Sequence, residues 1–183
     1  MLCGRKYEIN TIDIKYIKYL NSFDSEVYLN KRRHDYENKP YVGIIVYDNG
    51  LNYFIPLTSA KPKHLKLKNT GKDYMIVFET ISCDELHEKD IYIKSPNNQI
   101  KKLISVIDFR KSIPVPDGSF FEIDIRKHKD RDLLAKEYEF CLRKKETIIN
   151  KTKSIIRYQK KTGNKLFAYC DFELLETKMH EWK

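Results

Sequence analysis

The sequence is poor in the residues that build disulfide scaffolds, metal cages and flexible linkers. Its 183 residues include 4 cysteines, 6 glycines and 6 prolines. The cysteines are Cys3, Cys83, Cys141 and Cys170; they are far apart and never form a C-x-x-C pair, so we expect isolated reduced thiols. We expect no metal site, because only His87 among the histidines lies near a cysteine and it would need ligands from distant segments.

Signals for membranes, secretion and multiple domains are also missing. No apolar run approaches the roughly 20 residues that cross a bilayer. The first residues lack the apolar stretch and cleavage site of a secretory signal, so we expect a cytoplasmic protein. No repeat, low-complexity tract or long Gly/Ser/Pro linker interrupts the chain, which predicts a single domain over residues 1–183.

The signature motifs of several enzyme classes are absent. There is no phosphate-binding G-x-x-x-x-G-K-[ST] loop, no G-x-G-x-x-G, no G-x-S-x-G elbow and no H-E-x-x-H. An acidic cluster of Asp84, Glu85, Glu88 and Asp90 could bind Mg²⁺, but it lies in a polar stretch without a partner motif. We expect a solvated turn there.

Positive charge and aromatic rings are what the chain has in quantity. Its net charge is +9, with 13 tyrosines and 9 phenylalanines. Lysine and arginine release condensed counterions when they neutralise phosphates, and unpaired bases stack on aromatic rings. This composition favours a nucleic-acid partner, although charge alone leaves RNA, DNA and anionic membranes open.

The hydrophobic patterns predict an α+β fold with an antiparallel sheet. Asn49-Gly50 separates two β-rich runs and is typical of a type I′ hairpin. Asp13 and Asp171 are expected to cap helices, and the periodic residues 130–160 predict one long helix or two collinear ones closed by Gly163. The expected strands cover residues 6–10, 41–48, 51–56, 73–80, 91–94, 103–109 and 120–125, with a turn over residues 114–118.

One segment carries groups that could cleave RNA without a metal. Thr58, Ser59, Lys61, Lys63 and His64 follow the hairpin, where a strand end would hold them firmly. Such cleavage needs an activated 2′-hydroxyl, stabilised phosphoryl oxygens and a proton for the departing 5′-oxygen. Lysine can supply charge and, when desolvated, protons, but the same pattern is also typical of an ordinary turn at the end of a strand.

Four stretches of the chain resemble the ToxN/AbiQ family of toxins. They are IKYIKYL at residues 14–20, KPYVGI at 39–44 followed by YFIPLTSAKPKH at 53–64, IDFRKSIP at 107–114, and CDFELLE at 170–176. Their order and spacing cover nearly the whole chain, and the length is similar to that of the AbiQ branch. Ala60 departs from the family pattern, which often has proline there.

The resemblance implies a strongly bent antiparallel sheet related to the MazF/Kid toxins, an SH3-like barrel with packed helices and a long C-terminal helical region. It implies a metal-independent, sequence-specific endoribonuclease of a type III toxin–antitoxin or phage abortive-infection system, with no cofactor. Attack by the 2′-hydroxyl would leave a 2′,3′-cyclic phosphate and a 5′-hydroxyl. The implied partners are cellular or phage RNA and a tandem-repeat antitoxin RNA, whose pseudoknots inhibit the toxin in a closed assembly.

Matched position by position, the resemblance implies roles for individual residues. Lys61 would support proton transfer and phosphate charge, Thr58 and Ser59 would hold the phosphate, and Lys39 would orient the RNA backbone. The expected RNA-binding residues are Tyr16, which could stack on a base, and Lys15, Tyr36, Lys63, His64, Arg131 and Lys136. The alternative is a basic RNA-binding protein without catalysis, in which the same lysines only contact phosphates. A regulator of double-stranded DNA lacks support, because no helix-turn-helix, zinc or basic-zipper pattern is present.

Overall fold

The computed structural model of the protein describes residues 9–29, 41–67, 72–94 and 99–183. Within those ranges, eight strands form an antiparallel sheet and four α-helices accompany it, which confirms the predicted α+β class. The strands are β1 (Ile9–Ile12), β2 (Tyr41–Asp48), β3 (Leu51–Ser59), β4 (Tyr74–Ile81), β5 (Tyr92–Lys94), β6 (Ile100–Asp108), β7 (Ile113–Val115) and β8 (Phe120–Glu122). The helices are α1 (Ile14–Phe23), α2 (Arg131–Arg143), α3 (Lys145–Thr162) and α4 (Phe172–Glu181).

Strand β3 lies at the centre of the sheet and changes partners along its length. The strand order is β4-β6-β3-β2-β1-β8, with β5 beside β6 and β7 beside β3. Residues 51–56 of β3 pair with β2, and Asn52–Phe54 also pair with β7. The last three residues, Leu57–Ser59, pair instead with β6. The end of β3 is therefore held by a strand that is distant in sequence.

The predicted hairpin between β2 and β3 is confirmed. Asn49 and Gly50 have φ values of 49° and 85°, as a type I′ turn requires. Gly43 of β2 allows the close packing of the hairpin, because a Cβ there would lie 2.2 Å from the Ile55 oxygen and 2.5 Å from the Phe54 ring. The ring of Phe54 thus occupies the space that any larger residue at position 43 would need.

The predicted helix ends are also confirmed. The carboxylates of Asp13 and Asp171 accept backbone N–H groups from the first turns of α1 and α4, at 2.8 and 3.1 Å. Gly163 ends α3 in the left-handed conformation, with φ of 64°. The periodic region over residues 130–160 forms two helices, α2 and α3, which meet at Lys144.

The predicted turn over residues 114–118 and the predicted strand over residues 120–125 need correction in detail. Pro114 was expected in a turn, but it lies in β7, opposite Tyr53 of β3. Among the described strands, β7 pairs only with β3, so the missing N–H of Pro114 breaks no ladder on the other side. The strand expected over residues 120–125 ends at Glu122. Of the strand expected over residues 6–10, Ile9 and Asn10 lie in β1, and residues 6–8 lie outside the described ranges.

The helices cover the sheet with aromatic and aliphatic side chains. Phe172 of α4 packs edge-on against Tyr53 of β3, with ring centroids 6.5 Å apart, and Phe140 of α2 meets Phe78 of β4 at 5.6 Å. Gln159 joins α3 to the start of α4: its amide donates to a backbone oxygen at 3.0 Å and accepts a backbone N–H at 2.7 Å. In the ranges that the structure describes, no helix is long and apolar enough to cross a membrane.

Candidate active site

The hydroxyls of Thr58 and Ser59 lie at the end of β3. The two residues pair with Val106 and Ser105 of β6, respectively. Successive strand residues project to opposite faces of a sheet, so the two hydroxyls do not point the same way. Thr58 Oγ1 donates to the Val106 carbonyl at 3.3 Å, whereas the Ser59 side chain is exposed. Ser59 is therefore ready to bind a ligand, and Thr58 must release Val106 before its hydroxyl can donate elsewhere.

A basic turn follows the strand directly. The Ala60 N–H donates to the Ile104 carbonyl at 3.2 Å, so contact with β6 continues to the residue before Lys61. Lys61 is extended, with φ of −137° and ψ of 155°, and the 3₁₀ helix Pro62–Lys66 begins after it. The side chains of Lys61 and Lys63 are exposed. Two cations are thus presented next to Ser59 on backbone that is fixed on one side by the sheet.

His64 fixes the other side of Lys61. The His64 N–H donates to the Lys61 carbonyl at 2.8 Å, and the Lys61 N–H donates back to His64 Nδ1 at 3.0 Å. An imidazole nitrogen that accepts a hydrogen bond carries no proton, so His64 is neutral here, with its proton on Nε2. Burial lowers the pKa of His64, and Lys63 and Lys61 lower it further against an opposing effect of Asp108. The neutral form that the hydrogen bond needs is therefore favoured.

A buried carboxylate lies behind the strand end and was missed by the sequence analysis. Glu137 of α2 is 5% exposed and faces the hydroxyl of Ser105, the residue opposite Ser59. Burial raises the pKa of Glu137 to about 7, with a further rise from Asp130 and an opposing effect of the Ser105 hydroxyl. A signal was available, because position 137 lies three and four residues from the buried Leu134 and Cys141, on the inner stripe of the helix.

Tyr16 is the predicted site residue that the structure contradicts. Its side chain is 0% exposed, and its hydroxyl donates to the Pro114 carbonyl at 2.6 Å. The ring packs edge-on against Trp182, with centroids 5.3 Å apart. A ring enclosed in this way has no free face for a base, so Tyr16 is a core residue that joins α1 to β7.

The other predicted RNA-binding residues lie on separate elements. Lys15 is exposed on α1, and Arg131 is exposed at the start of α2. Lys136, further along α2, forms an ion pair with Glu79 of β4 at 2.6 Å. Lys39 and Tyr36 lie outside the described residues, and so does any contact they make with the turn at Lys61.

Potential metal ligands lie apart from one another in the same ranges. No group of three or more His, Cys, Asp or Glu side chains comes together there as a cation site. In the acidic segment, Asp90 pairs with Lys102 at 2.9 Å and accepts the His87 N–H at 3.0 Å. Cys83, Cys141 and Cys170 form no disulfide within the described part of the chain.

Comparison with known proteins identifies relatives along most of the sequence. The family described as "Toxin ToxN, type III toxin-antitoxin system" matches residues 8–180. The chain is 32% identical to the endoribonuclease AbiQ of Lactococcus lactis subsp. lactis, over 92% of this chain and 85% of AbiQ. It is 30% identical to the endoribonuclease ToxN of Bacillus thuringiensis subsp. kurstaki, over 96% of this chain and 84% of that protein.

Two solved structures of related proteins also superpose on this chain along nearly its whole length. The structure of AbiQ, a lactococcal anti-phage endoribonuclease of a type III system, superposes with a TM-score of 0.68 at 27% identity, covering 97% of this chain and 98% of AbiQ. A second structure, concerned with selective inhibition of a type III toxin by a non-coding RNA pseudoknot, gives 0.69 at 26% identity, with coverage of 97% and 98%. The chain therefore belongs to the ToxN toxin family of type III toxin–antitoxin systems.

Proposed function

We propose that this protein is a metal-independent, sequence-specific endoribonuclease, the toxin of a type III system that acts in phage abortive infection. Family membership and two relatives named as endoribonucleases support this proposal. The observation that carries it is the end of β3, where the side chains of Ser59 and Lys61 are both exposed. The backbone there is fixed by pairing with β6 on one side and by the hydrogen bond to His64 on the other. Such a fixed group of donors suits a transition state with charge on phosphoryl oxygens.

The proposed reaction uses the ribose as its own nucleophile. The 2′-oxygen attacks the adjacent phosphorus and loses its proton, while the bond to the 5′-oxygen breaks and that oxygen gains a proton. The products are a 2′,3′-cyclic phosphate and a 5′-hydroxyl, and neither a metal nor a cofactor takes part. Lys61 stabilises the phosphoryl charge and assists proton transfer, because its ammonium group can reach the phosphate as a point charge.

The neighbouring residues bind the substrate in this proposal. Ser59 donates to a phosphoryl oxygen. Thr58 reaches the same phosphate after its hydroxyl leaves Val106 and the end of β3 turns as RNA binds. Lys39 orients the RNA backbone. Further RNA contacts come from Lys15, Tyr36, Lys63, His64, Arg131 and Lys136, of which His64 offers Nε2–H as its donor.

The proposed partners follow from the relatives. A tandem-repeat antitoxin RNA is cut into pseudoknot units, which then occupy and inhibit the toxin in a closed toxin–RNA assembly; inhibition by a pseudoknot is the subject of one related structure. We propose that the chain acts in the cytoplasm as one domain over residues 1–183. The passage of β3 from β2 to β6 supports the MazF/Kid-like description, a bent sheet resembling an SH3 barrel.

A binding protein without catalysis is the second candidate. The observation that favours it is the Thr58 hydroxyl, which is already engaged with backbone and so is not aimed at a ligand. In that case the lysines of the turn would contribute only to phosphate binding, and each would add about one unit to the salt dependence of RNA affinity.

Replacement of Lys61 separates the two candidates. We expect Lys61→Ala to reduce cleavage of RNA by at least about 100-fold while most of the RNA affinity remains, since general acid–base groups contribute on the order of 10²–10⁴. Lys66→Ala is the matched control, because Lys66 is exposed at the end of the same 3₁₀ helix. Cleavage at the normal rate by Lys61→Ala would rule out the assigned site, and RNA binding without any cleavage by the wild type itself would favour the binding protein.

A further inference from the structure

One aromatic side chain lies almost entirely outside the protein. Phe167, between α3 and α4, is 97% exposed, and no other large hydrophobic residue in the described ranges exceeds the 54% of Tyr158. Singly exposed hydrophobic residues are common on proteins, so exposure alone assigns no role. The backbone around Phe167, however, also holds it in a defined position.

Phe167 is presented by a tight turn. The Tyr169 N–H donates to the Leu166 carbonyl at 3.1 Å, which places Phe167 and Ala168 at the two central positions. Ala168 has φ of 65°, a left-handed conformation that side chains with a Cβ adopt with strain. The chain thus keeps a strained residue where glycine would be relaxed, and the result is a turn that directs the preceding ring to solvent.

Both ends of this turn are attached to the body of the protein. On one side, Lys165 binds the buried carboxylate of Asp24 at 3.0 Å. On the other, the buried Tyr169 donates its hydroxyl to Asp73, and the Cys170 N–H donates to the Arg110 carbonyl at 2.9 Å. The backbone of the turn is therefore fixed, so little backbone freedom is lost when a partner stacks on the ring.

The segment that leads to the ring is basic. Residues 157–167 contain Arg157, Lys160, Lys161 and Lys165 and no carboxylate. Arg157 pairs with Asp48 of β2 at 3.2 Å. Lys160 pairs with Glu176 of α4 at 2.6 Å, as Lys165 does with Asp24, and the two ion pairs hold these cations beside the turn. Lys161 is exposed between them. A phosphate next to a base stacked on Phe167 could meet the ammonium group of Lys161, since the other two lysines are paired with carboxylates.

We propose that Phe167 is a stacking platform for an unpaired base of RNA, with Lys161 contacting an adjoining phosphate. RNA as the ligand rests on the proposed function; the location of the platform is new. Next to Phe167 in the chain, the apolar Leu166 is 41% exposed. Stable protein interfaces bury above about 1,000 Å², so a patch of two side chains suits a single base better than a protein surface.

RNA affinity of the full chain tests the platform. The probe is a short fluorescent 2′-O-methyl RNA strand of mixed sequence, because it lacks the 2′-hydroxyl and cannot be cleaved by 2′-attack. We expect Phe167→Ala to weaken binding about 5- to 100-fold without changing its salt dependence, and Lys161→Ala to lower the salt slope by about one. Phe121→Ala is the matched control, since Phe121 of β8 is 53% exposed and belongs to no basic turn.

A second readout detects stacking directly. In Phe167→Trp the new indole should be quenched by the RNA strand and not by the same strand in a perfect duplex, after the signal of Trp182 in the wild type is subtracted. Unchanged affinity in Phe167→Ala together with an unquenched indole would overturn the proposal. Self-association of the wild type that Phe167→Ala abolishes would also overturn it, in favour of a contact between two copies.

The controls keep this proposal distinct from the proposed function. If the wild type cleaves unmodified RNA but Phe167→Ala binds the probe normally, only the platform is wrong. If the wild type neither binds nor cleaves RNA, the proposed function fails and the platform fails with it.

Discussion

Glu137 makes the stability of the protein depend on pH in a way that one substitution should remove. Burial raises its pKa from 4.5 to about 7. Because the folded protein holds this proton more tightly than the unfolded chain, the free energy of unfolding falls as pH rises from 4.5 through about 7. The difference between the two pKa values corresponds to about 3 kcal/mol at pH 8. Glu137→Gln keeps the shape of the side chain and removes the titration.

Urea unfolding of both proteins at several pH values measures this effect. We expect the variant to match the wild type within about 1 kcal/mol near pH 4.5 and to exceed its stability by about 3 kcal/mol at pH 8, since other titrating groups cancel in the comparison. Glu139→Gln is the control: its side chain is 70% exposed and pairs with Arg143 at 3.7 Å, so the change should stay below about 1 kcal/mol at every pH. A difference for Glu137→Gln that does not vary with pH would refute the reasoning.

The remaining predictions concern the core, the hairpin and the turn. Tyr16→Phe removes the hydroxyl partner of a buried carbonyl, so we expect unfolding measurements to show a loss of about 1–3 kcal/mol and cleavage assays to show a normal rate; a folded variant with impaired RNA binding would restore a substrate role for this residue. Gly43→Ala would place a Cβ 2.2 Å from backbone, and we expect a loss of at least about 2 kcal/mol or failure to fold, visible by circular dichroism. His64→Ala removes the acceptor of the Lys61 N–H, so we expect kcat to fall about three- to tenfold, with recovery in His64→Asn, whose oxygen can accept the same N–H. Protonation of His64 would break this bond, so the wild type should also lose activity in acid where His64→Asn does not.

Local chemistry explains the parts of the fold that the sequence predicted. The Asn49-Gly50 pair tolerates positive φ, and Asp13 and Asp171 offer acceptors to the first turns of their helices, so neighbouring residues alone determine these features. The point at which the C-terminal helical region divides into α2 and α3 could not be predicted from the sequence. No glycine or proline lies near Lys144, where α2 ends and α3 begins, so the break depends on packing rather than on a local signal.

Long-range contacts explain what the sequence could not show about the site. Thr58, Ser59 and Lys61 are close in the chain, which made them easy to find together. Ser105 lies opposite Ser59 only because β6 pairs with the end of β3, and Glu137 faces Ser105 only because α2 packs on β6. For Tyr16 the local pattern was the better guide. Its helical spacing with Ile17 and Leu20 indicated a buried position, whereas the resemblance suggested contact with a ligand, which its burial excludes.

The most direct test of the central claim is cleavage of RNA by the purified protein in excess EDTA, with chemical mapping of the new ends. A transcript of candidate antitoxin repeats and total cell RNA serve as substrates, and Lys61→Ala serves as the inactive control. We predict discrete cuts that carry 2′,3′-cyclic phosphate and 5′-hydroxyl ends, at a rate that added Mg²⁺ does not change. Binding without cleavage in both EDTA and Mg²⁺, or cleavage that requires Mg²⁺ and leaves 5′-phosphate ends, would contradict the account.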